Sequence, residues 1–221
     1  MTRPSLSLIV PVYNSEGSLQ ALVERLATAL AEYPEKELIL VNDGSSDSSW
    51  GVVEELCRAH GWVRGIDLMR NYGQHNALLC GMRAAQYELV VTMDDDLQHP
   101  PEELPRLVAA LGDDGDVVYG TPQKERHGLL RDLASQITKL ALQRAMGAGT
   151  ARDVSALRVF RARLRDGFAN YHGQFVAIDV LLTWSTTRFK AVSVRHDARK
   201  VGVSNYTLKK LITHAMNMMT G

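Results

Sequence analysis

The sequence predicts an α/β fold with a doubly wound, mostly parallel sheet flanked by helices, and three observations carry that prediction. Short apolar runs alternate with helix-period segments over the first 120 residues, the pattern of βαβ units. The predicted strands are continuously apolar, as expected when helices cover both faces. The residues with unusual chemistry fall directly after those strands: Tyr13-Asn14, Asp43, Arg70-Asn71 and Asp94-Asp95-Asp96. In open α/β sheets that end of the strands is where ligands bind.

Each element has its own signal. LSLIVPV (6–12) is an apolar, β-rich first strand. From Ser18 onward Leu19, Leu22, Val23, Leu26 and Leu30 recur at helical spacing. ELILVND (37–43) is a second strand, closed by Gly44-Ser45-Ser46, and Trp50, Val53, Leu56 and Cys57 share one face of a helix over 48–60. VRGIDLM (63–69) predicts a third strand, 75–86 a helix, 88–93 a fourth strand, 101–111 a helix and 116–120 a fifth strand.

Past residue 121 the pattern changes. TPQKERHG is a polar loop, and 129–146 predicts a long helix with Leu130, Leu133, Ile137, Leu140 and Ala141 on one face. ALRVF (156–160) reads as a short strand, 174–184 as an apolar helix and RFKAVSVRH (188–196) as another strand. The final NYTLKKLITHAMNMMTG is amphipathic, setting Leu208, Leu211, Ile212, Ala215 and Met219 against Lys209, Lys210 and His214. No linker, repeat or low-complexity segment divides the chain.

Composition sets the outer limits. The 221 residues suffice for one α/β domain with a sizeable core. Apolar residues at 45% and charged residues at 23% fit a globular protein and exclude a disordered one. Lys plus Arg and Asp plus Glu both number 25, so bulk charge gives no reason to expect nucleic acid. Cys57 and Cys80 lie in predicted helices with no Cys-x-x-Cys pair, which suits packed, reduced thiols in a cytosolic setting. The apolar run before Pro11 is too short for a signal peptide, and no window of about 20 apolar residues occurs, so a soluble chain is expected.

The most informative stretch is LVVTMDDDLQHPPEEL (89–104), where a buried-strand pattern ends in three consecutive aspartates. Like charges crowded together raise one another's pKa values. In an extended segment Asp94, Asp96 and Gln98 point one way while Asp95 points the other. Two carboxylates and an amide oxygen suit a hard divalent cation, Mg²⁺ or Mn²⁺, with a nucleoside diphosphate as natural co-ligand. The competing reading is a solvated acidic turn that caps the helix begun by Pro100-Pro101, whose Glu102 and Glu103 suit the helix dipole.

Four motifs occur in order at strand ends: PVYNSEGSL (11–19), VNDGSSDSS (41–49), RNYGQHNA (70–77) and MDDDLQHPPE (93–102). Together they resemble glycosyltransferase family 2, whose GT-A fold is a Rossmann-like, doubly wound, mostly parallel sheet. More narrowly, the chain is similar to the polyprenyl-phosphate glycosyltransferases, which include dolichol-phosphate mannosyltransferase and undecaprenyl-phosphate aminoarabinose transferases. RKVGVSNYTLKKL (199–211) is especially similar to the latter. The resemblance covers essentially the whole chain. It implies one domain, with a nucleotide-binding half (1–120), an acceptor-side half (121–205) and an amphipathic juxtamembrane helix (206–221).

The resemblance also implies an activity: inverting transfer of a sugar from a nucleoside-diphosphate donor, uridine favoured over guanosine, to a polyprenyl phosphate. It assigns Pro11, Tyr13 and Glu16 to the nucleotide pocket and Asp43 to the base, against an Asx-turn role for Asp43. Arg70 falls near the base and ribose, with a surface salt bridge as the alternative. Asp94 falls at the ribose or the metal, Asp95 against backbone, and Asp96 with Gln98 at the metal-bound diphosphate. Arg158 matches a family arginine at the substrate. Arg199 and Lys200 match basic positions at the diphosphate or the acceptor phosphate. Ser204-Asn205 stands where many relatives have Ser-Lys, which removes one phosphate-binding cation. Asp96 and Arg199 are the residues expected to act in catalysis, with Mg²⁺ or Mn²⁺ as cofactor.

The acceptor decides what else is needed. A sugar hydroxyl requires a general base, for which His99 and Asp153 are candidates. A phosphate monoester, with its second pKa near 6, requires none. The expected location is the cytoplasmic face of a membrane, with a homo-oligomer or a membrane-anchor partner as further possibilities. The tail helix either lies at the lipid interface or packs on the domain. Rival readings are a transferase acting on a glycan hydroxyl and a non-catalytic nucleotide-binding protein. A nucleotidyltransferase is disfavoured because VYNSEGS replaces its Gly-rich basic loop, and a dehydrogenase because no G-x-G-x-x-G follows the first strand.

Overall fold

A computed structural model describes residues 3–122, 153–173 and 176–197. The predicted helices over 129–146 and 206–221, together with Arg199, Lys200, Ser204 and Asn205, lie outside the described residues. Strands β1 (Leu6–Val12), β2 (Lys36–Asn42), β3 (Val63–Asp67) and β4 (Leu89–Thr92) alternate with helices α1 (Leu19–Ala29), α2 (Ser49–Ala59) and α3 (Gln74–Ala84). Helix α4 (Leu104–Leu111), β5 (Val117–Pro122), β6 (Arg158–Arg161), α5 (Ile178–Thr183) and β7 (Phe189–Val194) complete the order.

The described strands form one sheet in the order β3-β2-β1-β4-β6-β5-β7. β1 pairs in parallel with both β2 and β4, so the chain winds outward one way from β1 and then the other way from β4. The junction of β1 and β4 is therefore the switch point, and the crevice beyond their C-terminal ends is the expected ligand site. The short strand predicted in ALRVF is β6, which runs antiparallel between β4 and β5.

Alternating side chains of each central strand feed two cores. Leu8, Val10, Leu38 and Leu40 pack with Leu22, Leu26, Val53 and Leu107 on one face. Ile9, Ile39, Val41 and Val90 pack with Ala77, Met82, Phe160 and Leu181 on the other. This two-sided burial is why the strands read as unbroken apolar runs. Helix α3 rides very close to the sheet: a Cβ on Gly81 would stand 2.4 Å from Ile9 Cγ2. Among the described residues no helix is long and apolar enough to cross a membrane.

Two predicted helices differ in form. The segment over 101–111 begins as a 3₁₀ turn, Pro101–Glu103, before α4 proper. Pro105 has no N–H with which to bond back to Pro101, so the Leu104 N–H takes the Pro101 carbonyl instead. The helix predicted over 174–184 is only Ile178–Thr183, because Ala177 is extended at its N-terminal boundary.

At the end of the sheet away from the switch-point crevice, Asp116 organises the entrance to β5. Its carboxylate accepts hydrogen bonds from Thr186 (2.7 Å), Arg163 (3.1 Å) and both Nε and Nη2 of Arg188 (2.9 and 2.8 Å). Arg161 stands 3.5 Å away. The hydrogen bonds from Arg188, ahead of those from Thr186 and Arg163, hold this carboxyl well below the usual carboxylate range. Its contribution is therefore present above the ordinary carboxylate pKa and is lost as pH falls through and below that range. We expect Asp116→Asn to cost about 2–3 kcal/mol, because three arginines lose their shared anion, two of them partly screened by water. Urea unfolding at pH 7 and pH 3 checks this, and the deficit should shrink at the lower pH.

Candidate active site

The site is built where β1, β2, β3 and β4 end. The loop after β1 and the loop after β2 are laced together. Asn14, in the left-handed region at φ 53°, accepts the Ser46 N–H on its side-chain oxygen at 2.8 Å. Its own N–H reaches Ser45 Oγ at 3.0 Å, and the Ser15 N–H reaches Ser49 Oγ at 2.8 Å. Glu16 accepts the Ser48 N–H at 2.9 Å just before α2, while Asp47 accepts the N–H groups of Glu16 and Ser49. Pro11 is half-buried at the end of β1, and Tyr13 is exposed above it.

Asp43, 3% exposed, draws in the loop after β3. Its two carboxylate oxygens accept the backbone N–H groups of Tyr72 (2.7 Å) and Gly73 (2.9 Å). Burial raises its pKa, and these two bonds pull it back. The Asx-type bond of this turn belongs to the preceding residue: Asn42 accepts the Ser45 N–H at 3.3 Å. Gly44 has φ +66°, and a Cβ there would lie 2.5 Å from the Asn71 nitrogen. Only glycine permits the two loops to touch. Arg70 is exposed and lies over the Tyr72 ring, 4.7 Å from its centroid.

The three aspartates follow β4 in a tight turn. Asp94 accepts a hydrogen bond from the Gln74 side-chain amide at 2.7 Å, while Asp95 faces β1 and is hydrogen-bonded to Ser15 and to the backbone of Tyr13. The expected extended run through Gln98 is not formed. Leu97 has φ 60°, and Asp96 accepts the Gln98 N–H at 3.0 Å, so the chain turns instead of alternating. Gln98 presents its carbonyl to the Asp197 N–H at 2.8 Å. Arg25 grips Glu102 with two bonds, and Arg195 bonds Glu103, which fixes the base of the turn.

Electrostatically this corner is crowded. Burial, then the charges of Asp96 and Asp95, push the Asp94 carboxyl up to about 7 against the partial relief of Arg158 and Gln74. Burial also pushes Asp95 up to about 6, eased by Ser15. His99, 8% exposed beside His196 with ring centroids 5.1 Å apart, is held down at about 4 by burial. Among the described residues no three His, Cys, Asp or Glu side chains converge as a metal cage. The donor chemistry still fits a hard dication, since Mg²⁺ is held by one or two carboxylates with the rest of its shell from water and phosphate.

Of the predicted residues, the structure brings Pro11, Tyr13, Glu16, Asp43, Arg70, Asp94, Asp95, Asp96 and Gln98 to one end of the sheet. Arg158, expected at the substrate, is enclosed by protein in the structure. It is 2% exposed, sits at the start of β6 and is ion-paired to Asp179, so it reaches the site through its charge. Sequence reasoning missed Gln74, Ser15, Asp47, Asp179 and His196, each of which acts through a partner distant in the chain. Only Asp179 carried a signal, as an isolated acid within an apolar helical run.

The sheet order and the acidic turn at the switch point define a GT-A type α/β protein. The chain matches the family model for Glycosyl transferase family 2 over residues 7–169. It is 36% identical over 217 residues to an undecaprenyl-phosphate 4-deoxy-4-formamido-L-arabinose transferase of Serratia proteamaculans, and 37% identical to that of Proteus mirabilis. In each case 97% of this chain is covered, and it spans 67% of the relative's length. Among solved structures, glucosyl-3-phosphoglycerate synthase from Mycobacterium tuberculosis, in complex with Mn²⁺, UDP-glucose and phosphoglyceric acid, superposes with a TM-score of 0.71 at 20% identity. That match covers 98% of this chain and 77% of the synthase. This chain belongs to glycosyltransferase family 2 and is a glycosyltransferase.

The raised carboxyls of Asp94 and Asp95 give a directional test. A carboxyl whose folded pKa is raised adds stability below its unfolded value near 3.8, and that stability is lost as pH rises through about 6 and 7. Asp94→Asn should therefore stabilise the cation-free protein at pH 8 by about 1–2 kcal/mol, discounted for partial solvent screening, and change little at pH 4.5. Thermal unfolding at the two pH values checks it; lower stability at pH 8 would show that the Gln74 bond outweighs the repulsion.

Proposed function

We propose that this glycosyltransferase moves a sugar from a nucleoside-diphosphate donor, with uridine as the base, to a polyprenyl phosphate at a membrane surface, with inversion at the anomeric carbon. The observation that carries the reading is the run Asp94-Asp95-Asp96 at the switch point, where burial and mutual repulsion oppose ionisation of Asp94. A site with that electrostatic cost calls for a cationic ligand. Relatives named as undecaprenyl-phosphate transferases support the acceptor class, and the synthase complex with Mn²⁺ and UDP-glucose supports the donor and metal classes.

In this reading Asp94 and Asp96 hold Mg²⁺ or Mn²⁺ together with the donor pyrophosphate, and Gln98 completes the turn that presents them. The bound cation supplies charge stabilisation to the departing nucleoside diphosphate. Asp43, with its oxygens aligned by Tyr72 and Gly73, accepts from the imino N–H of the base. Each carboxylate oxygen has a second acceptor position for this purpose. Tyr13 and the Arg70-Tyr72 pair wall the base and ribose. By resemblance to the family, Arg199 and Lys200 serve the diphosphate and the acceptor phosphate.

A polyprenyl phosphate is largely dianionic at pH 7 and attacks without losing a proton to the protein. The protein's work is then positioning and electrostatic stabilisation at the leaving group. His99, neutral and buried, serves the packing of the turn against His196.

Asp96→Asn should abolish Mn²⁺-dependent binding of UDP, read by calorimetry with and without the metal. Affinity equal to wild type would remove Asp96 from the cation site. With a polyprenyl-phosphate acceptor, Asp153→Asn should retain at least a tenth of wild-type turnover. A loss of about a thousandfold would instead indicate a general base and favour a hydroxyl acceptor.

A further inference from the structure

The acceptor-side half contains a buried ionic group that the roles above leave unused. Arg158 opens β6 and lies opposite Thr92 of β4 on one side and Tyr119 of β5 on the other. Its Nη1 donates to Asp179 Oδ1 at 2.5 Å, with 3% and 7% of the two side chains exposed. The Tyr119 hydroxyl donates to the same oxygen at 2.9 Å. The Tyr119 ring lies 5.9 Å from the Arg158 guanidinium carbon and stacks on Phe189 at 6.2 Å. Asp179 comes from the first turn of α5, on the sheet face that also carries α3.

Packing alone does not account for this group. Well-packed apolar residues replace buried ion pairs at little or no cost in stability. Here, moreover, the buried Arg158 Nε has no hydrogen-bond partner among the described residues, a penalty an apolar core would avoid. What the guanidinium does reach is the carboxylate turn. Thr92, its cross-strand partner, is two residues before Asp94, so the register sets Arg158 beside the strand that ends in the carboxylates.

Two demands meet at that point. A cation below the turn favours the ionised carboxylates, yet the same cation repels a dication bound above them. A unit charge within about 10 Å of a dication in a poorly solvated site shifts its affinity by tenfold or more. A guanidinium paired with a carboxylate on its far side is a compromise, because it stays in place while part of its field is cancelled.

We propose that Asp179 is a positioning residue of the donor site: with Tyr119 it fixes the Arg158 guanidinium beneath the Asp94–Asp96 turn and offsets its charge, so that the buried pair sets how strongly the turn holds a divalent cation with a nucleoside diphosphate. The inference deepens the proposed function and rests on its donor-site reading.

Calorimetry of UDP binding, with Mn²⁺ and with metal removed by chelator, tests it on the whole chain. Asp179→Asn leaves the Arg158 charge unopposed. Its Mn²⁺-dependent UDP affinity should fall about tenfold, while metal-free UDP, an anion, should bind several-fold more tightly. Those opposite changes are not what a loosened fold produces. Mn²⁺-dependent affinity equal to wild type, or a loss of both binding modes together, overturns the proposal. Should Asp179→Asn fail to fold, the double variant Arg158→Gln/Asp179→Asn, a neutral pair of similar shape, decides. Tighter Mn²⁺-dependent binding than wild type by about threefold supports the proposal, and equal or weaker binding overturns it. A wild-type protein that binds UDP no better with Mn²⁺ than without it overturns the donor-site reading itself, and this inference with it.

Discussion

Repulsion among carboxylates at the C-terminal end of β4 is the constraint around which this molecule is arranged. Asp94 and Asp95 are held in a corner where their charged forms are disfavoured, and the surroundings are organised to tolerate this. Gln74 from α3, Ser15 from the loop after β1 and Arg158 from β6 each ease part of the load without cancelling it. Full neutralisation by a lysine or arginine in the crevice would stabilise the fold and close the site to a ligand cation. In the proposed function, the residual negative charge is what a bound cation would meet.

The scaffold makes that corner rigid. Asp43 ties the loop after β3 to the end of β2, and Gly44 lets the two backbones meet. Asn14, Glu16 and Asp47 cross-link the loops after β1 and β2 and supply partners for backbone N–H groups around the start of α2. Arg25 and Arg195 clamp the two glutamates that follow the acidic turn. At the opposite end of the sheet Asp116 collects Arg161, Arg163 and Arg188. Polar side chains thus work in two modes: saturated with partners where they hold the frame, and under-neutralised at the turn proposed to take a cation.

The antiparallel β6 has a particular use. Its insertion between β4 and β5 brings a residue from beyond the first 120, Arg158, beside the strand that carries the aspartates. The Arg158–Asp179 pair of β6 and α5 is thereby set beside the strand that carries the aspartates.

How much of this was legible depends on the range of the interaction concerned. Periodicity and strand-end chemistry determined by themselves the α/β class, β1 to β5 with the helices between them, and the end of the sheet where Asp43, Arg70 and Asp94 to Asp96 gather, because these signals lie within a dozen residues. The pattern could not say that Arg158 would be buried, that Asp43 would bond Tyr72 and Gly73, or that Gln74 would reach Asp94. Those contacts join residues 20 or more positions apart, and they exist only once the sheet order has set their strands side by side. Leu97 is the local exception: nothing in a leucine announces a left-handed backbone, and the turn adopts it because Asp96 caps Gln98 and Asp197 holds the Gln98 carbonyl. Local chemistry chose the elements, and the tertiary arrangement decided which charges face one another.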